Sequence, residues 1–277
     1  MYGSGAIFSA FFGALANLLA KTILRDVKAK DILGINFLIM TGVMSILSPS
    51  FFFIGEDLLI ILPLIVLIAF VDYFANYFFF KAFEKSDVSI ATPMLALAPG
   101  FTFFFSWMFL DDTAPFAQLL LCIGVSLGII IFSTDFSRLK ESRDNTLIPA
   151  LTSSLLFGFS AIPSKYLLAN GFLNAPTLYE LRGGLIGLTA IMFLGSGIGQ
   201  LTAFHFRMIL IRGIVVIIQW LLLYQSLTQG SAGVSYTLGN ITPIFVFVLS
   251  FIFLNERFTI KKGAATLLVL VLSLLVI

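Results

Sequence analysis

Pro99-Gly100-Phe101-Thr102-Phe103-Phe104-Phe105-Ser106-Trp107-Met108-Phe109-Leu110-Asp111-Asp112 reads against Pro243-Ile244-Phe245-Val246-Phe247-Val248-Leu249-Ser250-Phe251-Ile252-Phe253-Leu254-Asn255-Glu256. The proline, two phenylalanines, the serine and the closing Phe-Leu fall in register, at the offset of 144 residues that separates Pro99 from Pro243. The same offset sets Lys21 on Lys165, far upstream, without a gap. One unit is written twice. In a chain this apolar, internal duplication points toward transport.

The chain has 277 residues, 59% hydrophobic and 11% charged, with a mean hydropathy of +1.07. A soluble domain carries about 25% charged residues. The runs between charges are about 20 residues long, enough to cross a hydrocarbon layer about 30 Å thick as helix. The pattern therefore predicts an all-α polytopic membrane protein; lipid excludes an open sheet because it cannot satisfy the sheet's edges. A net charge of +2 with no basic stripe gives no nucleic-acid partner. One cysteine, Cys122, and one histidine, His205, leave no internal disulfide, no cysteine cluster and no His-ligated metal. Neither a metal nor a cofactor is expected. Met1 to Ala20 has no basic segment before its apolar stretch, so it reads as a first span and not a cleaved signal.

Ten transmembrane helices are predicted, at 4–24, 32–54, 58–80, 88–110, 115–133, 147–169, 177–199, 208–228, 233–254 and 261–277. The longest polar stretch, Ser133 to Thr146, divides them five and five. This gives a first repeat at 1–133, a connecting loop at 134–146 and a second repeat at 147–277. Five is odd, so tandem copies must face opposite ways: two inverted five-helix repeats. Of the 16 basic residues, 12 lie in or beside connections, and ten spans put all 12 on one side. The other side's connections carry only Glu56, Asp57, Asp111 and Asp112. The positive-inside rule then predicts a multi-pass protein of the cell (inner) membrane with both termini outside.

Six charges remain within the spans: Lys21, Asp72, Lys165, Glu180, Arg182 and Arg212. Charge in a membrane is expensive, so each is a candidate for function. Asp72 lies about eight residues from the nearer end of its span, roughly 12 Å deep at helical rise and beyond snorkelling. Asn76 is one turn on, on the same face. In the eighth span Arg212, Val216, Gln219 and Trp220 share a face. Asp72 and Arg212 fall within about 6 Å of one depth, so they are expected to pair or to share a cavity. A helix-packing role competes with a proton or cation relay, since a desolvated carboxyl group holds a proton more readily. Lys165 and Glu180 are expected to pair near the non-cytoplasmic face. Lys21 and Lys165 have a competing reading as snorkelling side chains. Asn17, Asn36, Asn240 and Tyr236 read as substrate contacts or as helix-to-helix bonds.

Pro63, Pro93, Pro99, Pro163 and Pro243 lie within spans, and the matched pair Pro99 and Pro243 suits hinges. The Phe101 to Phe105 region is a candidate aromatic cavity wall. Gly124 and Gly128 form a GxxxG that permits close helix contact or a homodimer. There is no phosphate-cradling glycine loop, nucleophile elbow or H-E-x-x-H.

Gly230-Ser231-Ala232-Gly233-Val234-Ser235, then Thr242-Pro243, then Phe253-Leu254-Asn255-Glu256-Arg257-Phe258-Thr259 resembles the repeat of EamA-type transporters of the drug/metabolite transporter superfamily. That pattern opens on small residues, has a mid-helix proline and closes in Leu-Gly-Glu-Arg. Asn255 stands here for the glycine. Ser86 to Asp112 matches more loosely, with Asp112 where the glutamate would be. The resemblance implies a central cavity lined mainly by spans 1, 3, 4, 6, 8 and 9, with spans 5 and 10 at the periphery. It also implies termini in the cytoplasm, against the charge bias. The expectation is a secondary-active transporter, not an enzyme, that works by alternating access, with a small-molecule substrate, membrane lipids around it and a coupling proton or cation at Asp72. A flippase for a lipid or lipid-linked metabolite, an intramembrane enzyme, and a receptor or scaffold stand as alternatives.

Overall fold

Apolar runs in lipid must pair their backbone groups within the segment, and the runs of this chain do so as helices. The computed structural model describes residues 2–47, 52–85, 97–110 and 143–254, with isolated positions at 95, 117, 120, 121, 123, 124, 127 and 271. The helices are α1 (Tyr2–Ile23), α2 (Ala29–Leu47), α3 (Leu58–Lys85), α4 (Ala98–Phe109), α5 (Arg143–Ala169), α6 (Ala175–Leu194), α7 (Ala203–Gln229), α8 (Ala232–Gly239) and α9 (Thr242–Leu254). Among the described residues there is no strand, only a single bridge between Ile54 and Leu173. Five of these helices are long and apolar enough to cross a membrane: Gly3–Ile23, Ala29–Ile46, Leu58–Glu84, Ala175–Leu194 and Ala203–Gln229. The chain is a multi-pass membrane protein. Most of the predicted fifth and tenth spans, most of the first half of the fourth, most of the 134–146 loop, Pro93 and Gly128 lie outside the described residues.

Helix α5 is less apolar than its neighbours because it carries hydroxyls and, at its start, charges, but three of the hydroxyls are spent on carbonyls. Ser154 Oγ donates to Ala150 O at 2.9 Å, Ser164 Oγ to Ser160 O at 2.8 Å and Ser153 Oγ to Ala75 O at 2.9 Å. Starts are capped as the residues suggest. Asn174 Oδ1 accepts from Thr177 N at 3.0 Å and Ser231 Oγ from Val234 N at 3.2 Å. The lone histidine serves a capping box: His205 N donates to Thr202 Oγ1, and Thr202 N donates to His205 Nδ1 at 3.1 Å.

Several boundaries differ from the prediction. The second span, expected to run to 54, is described as helix to Leu47, and from Phe52 on the chain is no longer helical. Phe53, Ile54 and Gly55 instead form an apolar extended strap, with Phe53 N on Thr177 Oγ1 at 2.7 Å and Gly55 N on Phe172 O at 2.8 Å. A partner loop, not hydropathy, decides those residues. The third span runs on to Lys85, and the seventh stops at Leu194 before Gly195 at φ 82°. The ninth span is two helices broken at Asn240–Ile241. Pro243 stands in the first turn of α9 and Pro99 in the first turn of α4, where a missing N–H costs nothing. Pro243 therefore opens the second half of a broken span, and Leu95, ahead of α4, is helical as well.

Contacts fix the direction of each helix. Asp26, after α1, approaches His205 at the start of α7 (4.0 Å), and Ala29 N, opening α2, donates to Glu84 near the end of α3 at 2.8 Å. At the other face the strap after α2 meets the turn between α5 and α6. Helices α1, α2 and α3 thus run opposite to α5, α6 and α7, the inversion that an odd span count requires. Packing follows the same symmetry: α1 lies on α7 and α3 on α5, while α2 lies on α6. The α2–α6 seam is close. A Cβ on Gly187 would lie 2.8 Å from Leu38 Cδ2, and one on Gly34 2.7 Å from Ile191 Cγ1. Gly183 and Gly187 form the GxxxG of this seam, a motif the sequence reading passed over.

Candidate functional site

Lys21 and Lys165 are matched in sequence and matched in contact. Lys21 Nζ donates to Phe83 O at 2.9 Å, and Lys165 Nζ to Leu227 O at 2.7 Å, both spanning 62 residues. Phe83 and Leu227 are themselves one repeat apart, in the last turns of α3 and α7, where carbonyls lack helical partners and the dipole is negative. Lys165 also reaches Gly230 O. The lysines are therefore built-in helix caps. Glu180 accepts from the Ser45 hydroxyl across the α2–α6 seam, so the expected Lys165–Glu180 pair gives way to these two contacts.

Asp72 pairs with Arg182, not with Arg212. Both are buried, at 0% and 3% exposure. Arg182 Nη1 also donates to Tyr224 Oη at 2.7 Å, and the guanidinium carbon lies 4.1 Å from the centre of the Trp220 ring. Asn76 Nδ2 turns back to Asp72 O at 2.8 Å. Arg212, 5% exposed, goes elsewhere: its Nη1 donates to Asn36 Oδ1 at 2.7 Å and its Nε to Ala16 O at 3.3 Å, beside the Phe80 ring at 5.0 Å. The two arginines tie different helices, α6 to α3 and α7 in one case, α7 to α1 and α2 in the other.

A cavity of about 120 Å³ lies between α1, α2, α3, α5, α7, α8 and α9, with Leu95 and Ala98 closing one side. Arg212, Val216, Gln219 and Trp220 all line it, as their shared helix face requires, together with Asn17, Asn36, Asn76, Tyr236, Asn240 and Pro243. Phe37, Phe79 and Phe157 supply the aromatic wall. The Phe101–Phe105 region does not; Phe103 packs against Gly233, and Phe104 is exposed. Asp72 and Arg182 are not on the cavity surface. They stand behind Trp220, whose ring the cavity and Arg182 share. Glu180, Lys21 and Lys165 are also away from it.

Two copies of one family model match the chain, over residues 3–134 and 145–277. The chain belongs to the EamA-like transporter family. That family is part of the drug/metabolite transporter superfamily. A solved crystal structure is similar in fold, with a TM-score of 0.71 at 14% identity over 99% of this chain and 95% of the other. A search of curated protein sequences returned no match.

Sequence reasoning missed the roles of Arg182 and Tyr224. Arg182 is five residues from the start of its predicted span at 177. It lies seven residues after Ala175, roughly 10 Å in at helical rise. Tyr224 is one turn beyond Trp220, on the helix face already singled out.

Proposed function

We propose that this EamA-family protein is a secondary-active transporter of a small metabolite, moving it by alternating access. The observation that carries the reading is the cavity at the junction of two oppositely directed halves, lined by an arginine and carboxamides. Pro99 and Pro243, each opening a helix beside the cavity, suit the hinges on which the halves rock. Trans-stimulated, saturable exchange into proteoliposomes tests it. Uptake that neither saturates nor responds to unlabelled solute inside would overturn it.

Coupling to a proton in this reading runs through Asp72. Protonation would loosen Arg182 and, with it, the Trp220 ring that walls the cavity. An Asp72→Asn variant should lose the pH dependence of exchange; one that exchanges normally at every pH removes Asp72 as the coupling group. We place the protein in the cell membrane with its basic connections in the cytoplasm and both termini outside. A reporter active only in the cytoplasm, fused to either terminus, should stay silent. A flippase would need a gap to lipid between helices, and an intramembrane enzyme a second acid beside Asp72. The partner of Asp72 is an arginine, which favours transport.

A further inference from the structure

Two guanidiniums are buried near the centre of this protein, and they are treated differently. Arg182 has the Asp72 carboxylate. Arg212 has only neutral partners, a carboxamide and a backbone carbonyl. Among the described residues no acid pairs with it, and none of the residues lining its cavity is Asp or Glu. Its Nη2 makes no hydrogen bond to a described residue. A buried charge without a counter-charge is costly. Tying α7 to α1 and α2 needs only a neutral donor, so the positive charge itself calls for another explanation.

The carboxamides around it are also unspent. Asn17 and Gln219 line the cavity and make no hydrogen bonds among the described residues. Asn76 and Asn240 each commit Nδ2 to a carbonyl one turn back, at 2.8 and 3.0 Å, which leaves Oδ1 as an acceptor. The cavity thus offers one full positive charge, spare amides and fixed acceptors.

We propose that the transported substrate is a small hydroxy-monocarboxylate, its carboxylate on Arg212 and its hydroxyl donating to a carboxamide oxygen. This rests on the transporter reading above. Charge balance selects the class. One uncompensated cation matches one negative charge. An ammonium group would find no acid, so a zwitterion fits worse, and a phosphate dianion brings one charge too many. The cavity of about 120 Å³ accommodates a small solute of this kind.

The test is ligand stabilisation of the purified full chain, followed by exchange in proteoliposomes. Lactate and 2-hydroxybutyrate should raise the melting temperature saturably. Lactamide, alanine and inorganic phosphate should bind about tenfold to a hundredfold more weakly, the range for a hydrogen bond to a charged group. Arg212→Gln should abolish the effect of lactate. Asn36→Asp keeps the Arg212 contact but neutralises it from within, and should abolish the effect while leaving the fold intact. The proposal is overturned if lactamide or alanine binds as well as lactate. It is equally overturned if Asn36→Asp still binds lactate, or if neither hydroxy acid shifts the melting temperature. If hydroxy acids bind but never exchange, the transport reading alone fails. If another solute exchanges and lactate does not compete, the substrate class alone fails.

Discussion

Removing either member of the Asp72–Arg182 pair should cost more than removing both. Breaking a buried ion pair by deleting one partner costs about 3–5 kcal/mol, because the survivor is left as an uncompensated charge. Each survivor here has a partial remedy. In Asp72→Leu, Arg182 keeps the Tyr224 hydroxyl and the face of Trp220, so the loss should sit near the lower bound, about 3 kcal/mol. In Arg182→Met, Asp72 loses its cation but can shed its charge by taking up a proton, so the loss should also sit near the lower bound, about 3 kcal/mol. The double variant removes both charges and replaces them with apolar volume, which should restore stability to within about 2 kcal/mol of wild type. Equilibrium unfolding in mixed micelles reads all four corners of the cycle. A coupling of about 3 kcal/mol or more is expected, and additivity within about 0.5 kcal/mol would refute the pairing argument. The same double variant separates packing from coupling: a stable protein that exchanges solute with no pH dependence assigns Asp72 to proton coupling. Exchange with the wild-type pH profile makes the pair a helix tie.

Lys21→Met and Lys165→Met each remove a charged cap on a helix end, and each should cost about 1.5–3 kcal/mol by unfolding in micelles; a silent variant at either position denies the cap. Gly187→Leu should be worse than Gly42→Leu. A Cβ at 187 already meets Leu38 whereas one at 42 meets nothing within 4 Å, so melting should show about 1–3 kcal/mol of overpacking or more at 187 only.

The helical fold and the inversion were readable because they rest on composition and parity. Long apolar runs leave lipid one solution, and the five spans per copy that the sequence predicts leave one relation between copies. The face shared by Arg212, Gln219 and Trp220 was readable for a similar reason: helical spacing is local. Partners were not. By span counting only Arg212 lay at the depth of Asp72, and depth alone chose it; Arg182 fell near the opposite end of its predicted span. The choice between them depends on which helices neighbour α3, and a single sequence does not encode adjacency in any periodic signal. The strap at Phe53–Gly55 failed for another reason. Its residues are apolar enough for helix, but the turn at Phe172 and the Thr177 hydroxyl take their backbone N–H groups first.

The paired lysine caps bear on energy balance. In the proposed transport cycle the two halves exchange conformations, so a contact that both halves already make in one structure is kept in both forms. Lys21 with Phe83 and Lys165 with Leu227 are such contacts, so to first order they drop out of the difference between the forms. What tilts the resting equilibrium must then come from residues without a counterpart. Asp72 faces Val216 across the repeat, and Arg212 faces Ile68. In the proposed mechanism the side on which the empty protein waits is therefore set by such unmatched groups, Arg212 in the cavity wall and Asp72 behind Trp220.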